Sequence, residues 1–187
     1  DDALGEAFDK TAKMLDLGYP GGPNIEKFAK LGDKTFYKLP EPIINKGGCN
    51  LSFAGLKTAV LREAKNINGN QQLKYNLAAS FQFTINKILR KKTKEAIKQF
   101  RAKISLGEKI PFVVAGGVAA NLSIRKNLIE ICKEMDFVPF FPNLKYCGDN
   151  AAMIAWAGIK RYKKKLINKL DFVAKSRWPL DPQARYL

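Results

Sequence analysis

The sequence predicts an α/β fold. Two strand-to-helix turns carry that prediction, Ala115–Asn121 after the apolar run Phe112–Val114 and Cys147–Met153 after Phe137–Phe141. In each, an apolar stretch gives way through glycine to a helical pattern, opened by Asn121 in the first case and by Asp149-Asn150 in the second. Such turns deliver polar side chains to helix N-termini at the ends of neighbouring strands. Crevices of that kind bind ligands, because backbone N–H groups and helix dipoles point into them.

Composition sets the bounds. The chain has 187 residues, 46% of them hydrophobic and 11% aromatic, which suits a globular chain with a sizeable core. The balance of 33 Lys+Arg against 17 Asp+Glu gives +16, a field that favours polyanions, nucleic acid first. Cys49, Cys132 and Cys147 have no paired short spacing, so neither a disulfide framework nor a zinc pattern is expected, in keeping with a reducing cytoplasm. The positive field also suits, after nucleic acid, an acidic membrane surface or acidic protein partner, although no membrane partner is expected; no apolar run approaches ~20 residues, so no transmembrane helix is expected, and no signal peptide opens the chain. Residue 1 is Asp, so a start inside a longer gene product is expected. The chain contains no histidine, which excludes His-based catalysis from its own residues.

From Asp2 to Leu17, Leu4, Ala7, Phe8, Thr11, Ala12 and Leu15 fall at helical spacing. Asp2, Glu6 and Asp9 lie opposite. They read either as acids favoured in early turns, with Asp9 paired to Lys13, or as a ridge on which Asp9 accepts from ligand hydroxyls. Gly18–Pro23 ends this helix in a tight loop, and Pro23 suits the first turn of the next, about Asn24 to Leu31. The Gly21-Gly22 pair would let a ligand approach the backbone.

Residues 32–50 read as loop with a short strand near Thr35–Leu39, and Leu51–Lys57 enters a helix running to about Lys65. After the polar gap Asn66–Asn70, the longest helical pattern runs from Gln71 to about Arg101, with a buried stripe of Leu73, Leu77, Phe81, Ile85, Ile88, Leu89, Ala96, Ile97 and Phe100. Nine basic residues against two acids from Lys87 to Lys109 describe a solvated helix face or, more sharply, an RNA contact. Two β–α units follow, strand 112–115 with helix 121–135 and strand 137–141 with helix 149–163. Ile154, Trp156, Ala157 and Ile159 leave little polar surface on the last helix, which predicts it sandwiched in the core. The tail carries eight Lys/Arg against one acid between Lys160 and Arg177 and ends in Ser176–Asp181.

Neither standard phosphate fingerprint is present: the Gly116-Gly117 turn lacks G-x-G-x-x-G, and there is no Walker-type G-K-[ST]. Taken singly, Gly-Gly after a strand serves close packing, Asn121 is an N-cap, and Asp149-Asn150 is a capping pair. Together, beside an acidic helix and a Gly-Gly loop, they describe a site in which Asp149 could ligate a metal or order water around a phosphate.

Five segments then carry a family resemblance: Asp2–Lys10, Tyr19–Pro23, Ser52–Lys57, Ala115–Asn121 and Asp149–Ala155, in that order. The chain resembles, over nearly its whole length, the C-terminal half of the TsaD-type tRNA threonylcarbamoyladenosine transferases, long labelled O-sialoglycoprotein endopeptidases or glycoproteases. The resemblance implies an RNase-H-like domain of the actin/Hsp70/hexokinase-like superfamily, incomplete at its N-terminal side. Residues 1–110 would form a mainly helical ligand-facing segment, 111–165 a β-α-β-α core and 166–187 a tail.

By that resemblance Asp9, Gly22 and Asn121 match positions that bind threonylcarbamoyl-AMP (or another adenine nucleotide), with Glu26 a weaker match, and Asp149 matches the metal-ligating aspartate. The implied reaction moves the threonylcarbamoyl group to N6 of the adenosine beside the anticodon of tRNA. One divalent ion, Fe or Zn, is implied in the complete enzyme, held also by two histidines of an H-x-x-x-H element that this chain lacks, so the chain alone is expected neither to retain metal nor to be active. Homologous and ATPase partner subunits are implied as well. Two other readings stand beside it, a non-catalytic nucleotide-binding assembly module of the same fold and the peptidase of the older label. Retention of both Asn121 and Asp149 favours the transferase over the module, and the absence of histidine disfavours the peptidase.

Overall fold

The computed structural model describes residues 3–104, 107, 109–174 and 176, in two compact units, Asp1–Asp149 and Asn150–Leu187. In the first, helix α1 (Leu4–Met14) buries Ala7, Phe8, Thr11 and Ala12, the stripe its spacing predicts. Asp2 lies outside the described residues, as do Glu108, Arg177 and the 177–181 part of the tail motif. The ion pair on α1 joins Lys10 to Glu6 at 2.5 Å. Asp9 does not turn to Lys13; its Oδ1 accepts from the Gly21 N–H at 2.8 Å, at the start of α2 (Gly21–Ala29). That helix begins three residues earlier than the spacing suggests. Pro20 supplies an extended N-cap, and Pro23 sits in the first turn, where a missing N–H costs nothing.

Helix α3 (Ala54–Ala64) buries Leu56, Ala59 and Val60, and α4 spans Gln71–Lys103, 33 residues without an internal Gly or Pro. At 1.5 Å per residue α4 is about 50 Å long, and the Asn70 side chain caps it through the Leu73 N–H. Leu77, Phe81, Ile85, Ile88 and Ile97 of the expected stripe are buried, Leu73 and Leu89 half-buried. Phe100 is an exposed outlier, resting edge-on against Phe137 with ring centroids 6.2 Å apart. Phe8 of α1 meets Phe81 of α4 edge-to-face at 5.2 Å, fixing the two apolar faces together.

The strand expected near Thr35–Leu39 is absent; the segment is turn and coil. Two of its backbone donors go to side chains, and the Phe36 N–H turns back to the Asp33 carbonyl at 3.4 Å. The Thr35 N–H and hydroxyl both donate to Asp33 Oδ1, holding that carboxyl below its usual range, and the Tyr37 N–H donates to Ser80 Oγ at 3.1 Å. Asn76 Oδ1 takes the Asp33 N–H at 2.9 Å, so polar residues along α4 tie this loop down.

Strand β1 (Ile110–Val113) pairs in parallel with β2 (Phe137–Phe140), Ile110 opposite Phe137 and Val113 opposite Phe140, joined through a 3-10 turn (Gly117–Ala120) and helix α5 (Leu122–Glu134). The α/β prediction thus holds in its small parallel sheet. Ile124, Leu128, Ile131 and Cys132 of α5 join the core formed with α1–α4. Burial pushes the Cys132 thiol pKa up.

In the second unit, helix α6 (Ala151–Lys163) is capped by Asn150, whose Oδ1 accepts from the Met153 N–H at 3.0 Å. Within this unit α6 finds no cover: none of its residues is buried, and Trp156 is 61% exposed. Helical periodicity reports how apolar a helix is; it does not supply the surface that covers it. No helix among the described residues is long and apolar enough to cross a membrane.

Candidate functional site

Two helix N-termini build the site. Gly21 opens α2 against α1 so closely that a Cβ there would lie 2.7 Å from the Phe8 carbonyl oxygen and 2.8 Å from the Asp9 amide nitrogen, so no larger residue fits. Gly22 differs: a Cβ would meet nothing within 4 Å. One glycine of the pair therefore serves packing and the other leaves open space.

At the second N-terminus, Gly116 adopts φ 90° and ψ 173°, backbone that favours glycine, and turns the chain from β1 into the 3-10 turn. Asn121 then caps α5, its Oδ1 accepting from the Ile124 N–H at 2.9 Å, while its Nδ2 donates to Gln82 Oε1 on α4 at 2.8 Å. Glu26 reaches over from α2, and its Oε1 accepts from the Leu122 N–H at 2.8 Å and the Ser123 N–H at 3.1 Å. Each helix N-terminus is thus satisfied by a carboxylate, Asp9 on α2 and Glu26 on α5, in the orientation the dipole favours.

Between them lies a crevice of about 560 Å³ lined by Asp9, Gly22, Glu26, Gly117 and Asn121, with Phe8 among its apolar walls. Four of the five residues singled out from the sequence, drawn from three separate stretches of chain, face one space. Asp149 is exposed and is not among the lining residues. Of the pair Asp149-Asn150, Asn150 is the helix cap.

Arg125 and Gln82 escaped the sequence reading. Arg125 donates from Nε to the Ala119 carbonyl and from Nη2 to the Pro142 carbonyl at 2.8 Å and to Cys147 Sγ at 3.2 Å, with its guanidinium 4.9 Å over the Phe141 ring. It therefore ties the first glycine-containing turn to the segment leading into the second. The available signal was its place one turn after Asn121, on the same helix face. Gln82 gave none, since it sits inside an apolar stripe.

The donor set does not suit a metal by itself. Among the described residues no group of three or more His, Cys, Asp or Glu side chains could hold an ion, and sites for zinc or iron take three or four protein ligands.

The basic stretch of α4 is more structured than its composition suggests. Lys92 is 4% exposed, and its Nζ donates to the carbonyls of Lys46 at 2.8 Å and Gly48 at 3.1 Å. Lys87 pairs with Glu41. Lys94, at 2.5 Å, and Arg90 both pair with Glu134 and hold its carboxyl below the usual range. A groove of about 760 Å³ remains, lined by Lys87, Arg90, Lys91 and Lys94 together with Glu41 and Asn45.

Residues 1–156 match the family model described as "TsaD: tRNA N6-adenosine threonylcarbamoyltransferase". The chain is 58% identical over 187 residues to a protein of Pelagibacter ubique named tRNA N6-adenosine threonylcarbamoyltransferase, covering all of this chain and 52% of that protein. A protein of the same name from Rickettsia rickettsii is 50% identical over 182 residues, covering 97% of this chain and 53% of its own length. The Rickettsia conorii protein is likewise 50% identical, over 184 residues. The chain spans about half the length of the curated relatives it matches.

Proposed function

The chain belongs to the TsaD family, and on that footing we propose that it supplies the adenylate-binding half of a catalytic unit. That unit transfers a threonylcarbamoyl group from threonylcarbamoyl-AMP to N6 of the adenosine beside the anticodon of tRNA. The observation that carries the proposal is the crevice in which Asp9, Gly22, Glu26 and Asn121 meet.

Its electrostatics orient the adenylate. Asp9 and Glu26 are acceptors that repel a phosphate and welcome hydroxyls, so the ribose sits against them. One Asp9 oxygen remains bound to the Gly21 N–H and the other receives the sugar. The phosphate goes to the Gly116-Gly117 backbone, where no side chain stands in the way and a Cβ would meet nothing. Asn121, held at both ends of its amide, offers its second Nδ2 hydrogen to the bound ligand. The apolar walls exclude water that would otherwise hydrolyse the mixed anhydride.

In this proposal the fold is an RNase-H-like domain of the actin/Hsp70/hexokinase-like superfamily, its two-stranded sheet extended by strands outside this chain. A divalent ion, Fe or Zn, belongs to the complete protein, with Asp149 contributing one carboxylate and the other ligands coming from elsewhere. Homologous and ATPase partner subunits belong to the working assembly, and the α4 groove meets tRNA phosphates.

The complete protein with its partners, threonylcarbamoyl-AMP and tRNA tests the reading. Asp9→Asn and Asn121→Ala should each cut transfer at least tenfold while raising the dissociation constant of the adenylate. Wild-type transfer rates in both variants would overturn it.

A further inference from the structure

Three stretches of chain wall the crevice: α1 with the start of α2, the turn from Gly117 to Leu122, and Leu144 from beyond β2. Leu144 belongs to a short closed turn. In it the Tyr146 N–H donates to the Asn143 carbonyl at 2.8 Å and the Cys147 N–H to the Leu144 carbonyl at 3.2 Å. The Leu144 side chain is 53% exposed, so packing in the core does not place it. Its position has to be set by what holds the turn.

Arg125 grips that turn at both ends. Its Nη2 donates to the Pro142 carbonyl at 2.8 Å on one side of Leu144 and to Cys147 Sγ at 3.2 Å on the other. Its Nε donates to the Ala119 carbonyl, between the lining residues Val118 and Ala120. One planar group thus bridges two walls of the crevice without itself lining it. The bridge is anchored on a third point, since the Arg125 N–H donates to the carbonyl of the lining residue Asn121 at 3.0 Å. Nε and Nη2 belong to one rigid fork, so arginine holds two acceptors at a fixed spacing. Lysine, with one nitrogen on a flexible stem, cannot do so.

We propose that Arg125 is a positioning residue of the adenylate site, which seats Leu144 against the 117–120 turn before the ligand enters. The inference rests on the proposed binding of the adenylate in the crevice and adds to it the group that sets the distance between two walls. A wall already in place binds without the cost of ordering a loop. Without Arg125 the turn around Leu144 must be ordered by the ligand itself, and affinity falls. Asp9, Glu26 and Asn121 keep their own hydrogen bonds, none of which involves the Arg125 side chain. The loss is therefore one of binding and leaves the chemical step as it was.

The test uses the complete protein with its partners, threonylcarbamoyl-AMP and tRNA. Arg125→Lys, which keeps the stem and the charge but cannot span both walls, should raise the KM for the adenylate about tenfold with kcat little changed. That is the scale of a lost apolar contact in a pocket. Partial unfolding would do the opposite, removing active molecules and so lowering kcat at unchanged KM. Leu144→Ala should raise KM by a similar factor and, at so exposed a side chain, should unfold as the wild type does. Because Arg125 acts through Leu144, the double variant should be no worse than Leu144→Ala within about twofold. A wild-type KM in either single variant, a fall in kcat alone in Arg125→Lys, or a double variant that multiplies the two losses would overturn the assignment. Should Arg125→Lys fail to fold, the KM of Leu144→Ala decides by itself. These failures leave the crevice reading standing, whereas a wild-type protein that binds no adenylate would overturn both.

Discussion

Asn121 and Gln82 share a hydrogen bond of 2.8 Å that fixes which way the Asn121 amide faces. The Oδ1 of Asn121 is already committed to the Ile124 N–H, so the bond to Gln82 leaves one amide hydrogen with a defined direction. Gln82→Leu removes the acceptor and strands a donor that is nearly buried, which should cost about 1–3 kcal/mol. Gln82→Glu retains the acceptor oxygen and should restore most adenylate affinity. Denaturant midpoints and adenylate titrations of both variants check this. Equal loss of adenylate affinity in the two would show that orientation of Asn121 is not the reason.

Adjacent glycines should behave in opposite ways. Gly21→Ala forces a Cβ into the α1 backbone, where nothing flexible can yield, and should destabilise by about 3 kcal/mol or more. Gly22→Ala meets open space and should change stability by roughly 0.5 kcal/mol or less, yet it places a methyl in the crevice and should weaken the adenylate. Thermal unfolding and ligand titration of the two variants separate the roles. A destabilised Gly22→Ala protein would contradict the assignment.

That division was invisible in the sequence, where Gly21-Gly22 is a single signal. Periodicity gave α1, α4 and α5 and most of their buried faces, because burial imposes the 3.6-residue spacing directly. It failed where long-range contacts decide. Thr35–Leu39 looks like a strand, but its amides find Asp33 and Ser80. Lys92 reads as one more solvated lysine in a basic run, but the carbonyls of residues 46 and 48 capture it. In the site, Asp9, Gly22, Glu26 and Asn121 were legible as residue types at turns and helix starts. Gln82 and Arg125 act across 39 and 22 residues of chain, on Asn121 and Cys147, and no local pattern encodes such partners.

Lys91 and Lys92, neighbours in sequence, should therefore separate in experiment. Lys92→Met removes the donor to two carbonyls and should release the 46–48 segment, costing about 1–3 kcal/mol. Lys91, exposed on the groove, donates to Asn45 at 2.7 Å. Lys91→Glu should leave unfolding little changed, weaken tRNA binding and flatten its salt dependence, since one phosphate contact contributes roughly one unit of slope. Wild-type tRNA affinity at low salt in Lys91→Glu would remove the groove from the interface.

Acid should loosen the join between α4 and α5. Lys94 and Arg90 hydrogen-bond to Glu134 and lower its pKa, so the folded state favours the carboxylate more than the unfolded chain does. The stabilisation is present above the ordinary glutamate value of about 4.3 and disappears as pH falls through the depressed folded value. Glu134 is solvent-exposed, so the effect is small and shrinks with salt. Glu134→Gln should lower the melting temperature slightly at neutral pH and not in acid, once the carboxyl is protonated in both states. A larger loss in the variant under acid would show that the Arg90 and Lys94 contacts are not its cause.

The metal offers the sharpest contrast between neighbours. Among the described residues no cluster of ligating side chains accompanies Asp149, so this chain alone should purify essentially free of iron and zinc, whatever the complete protein holds. In the complete protein Asp149→Ala should remove most of the metal and nearly all transfer while leaving the fold intact, because its side chain is exposed and the cap of α6 is Asn150. Asn150→Ala should do the reverse, retaining metal while costing α6 about 1 kcal/mol of capping energy. Elemental analysis, circular dichroism and a transfer assay on both variants decide between them. If Asp149→Ala kept stoichiometric metal and normal transfer, Asp149 would be only the residue before a helix cap, and the ion would have to be held entirely by residues outside this chain.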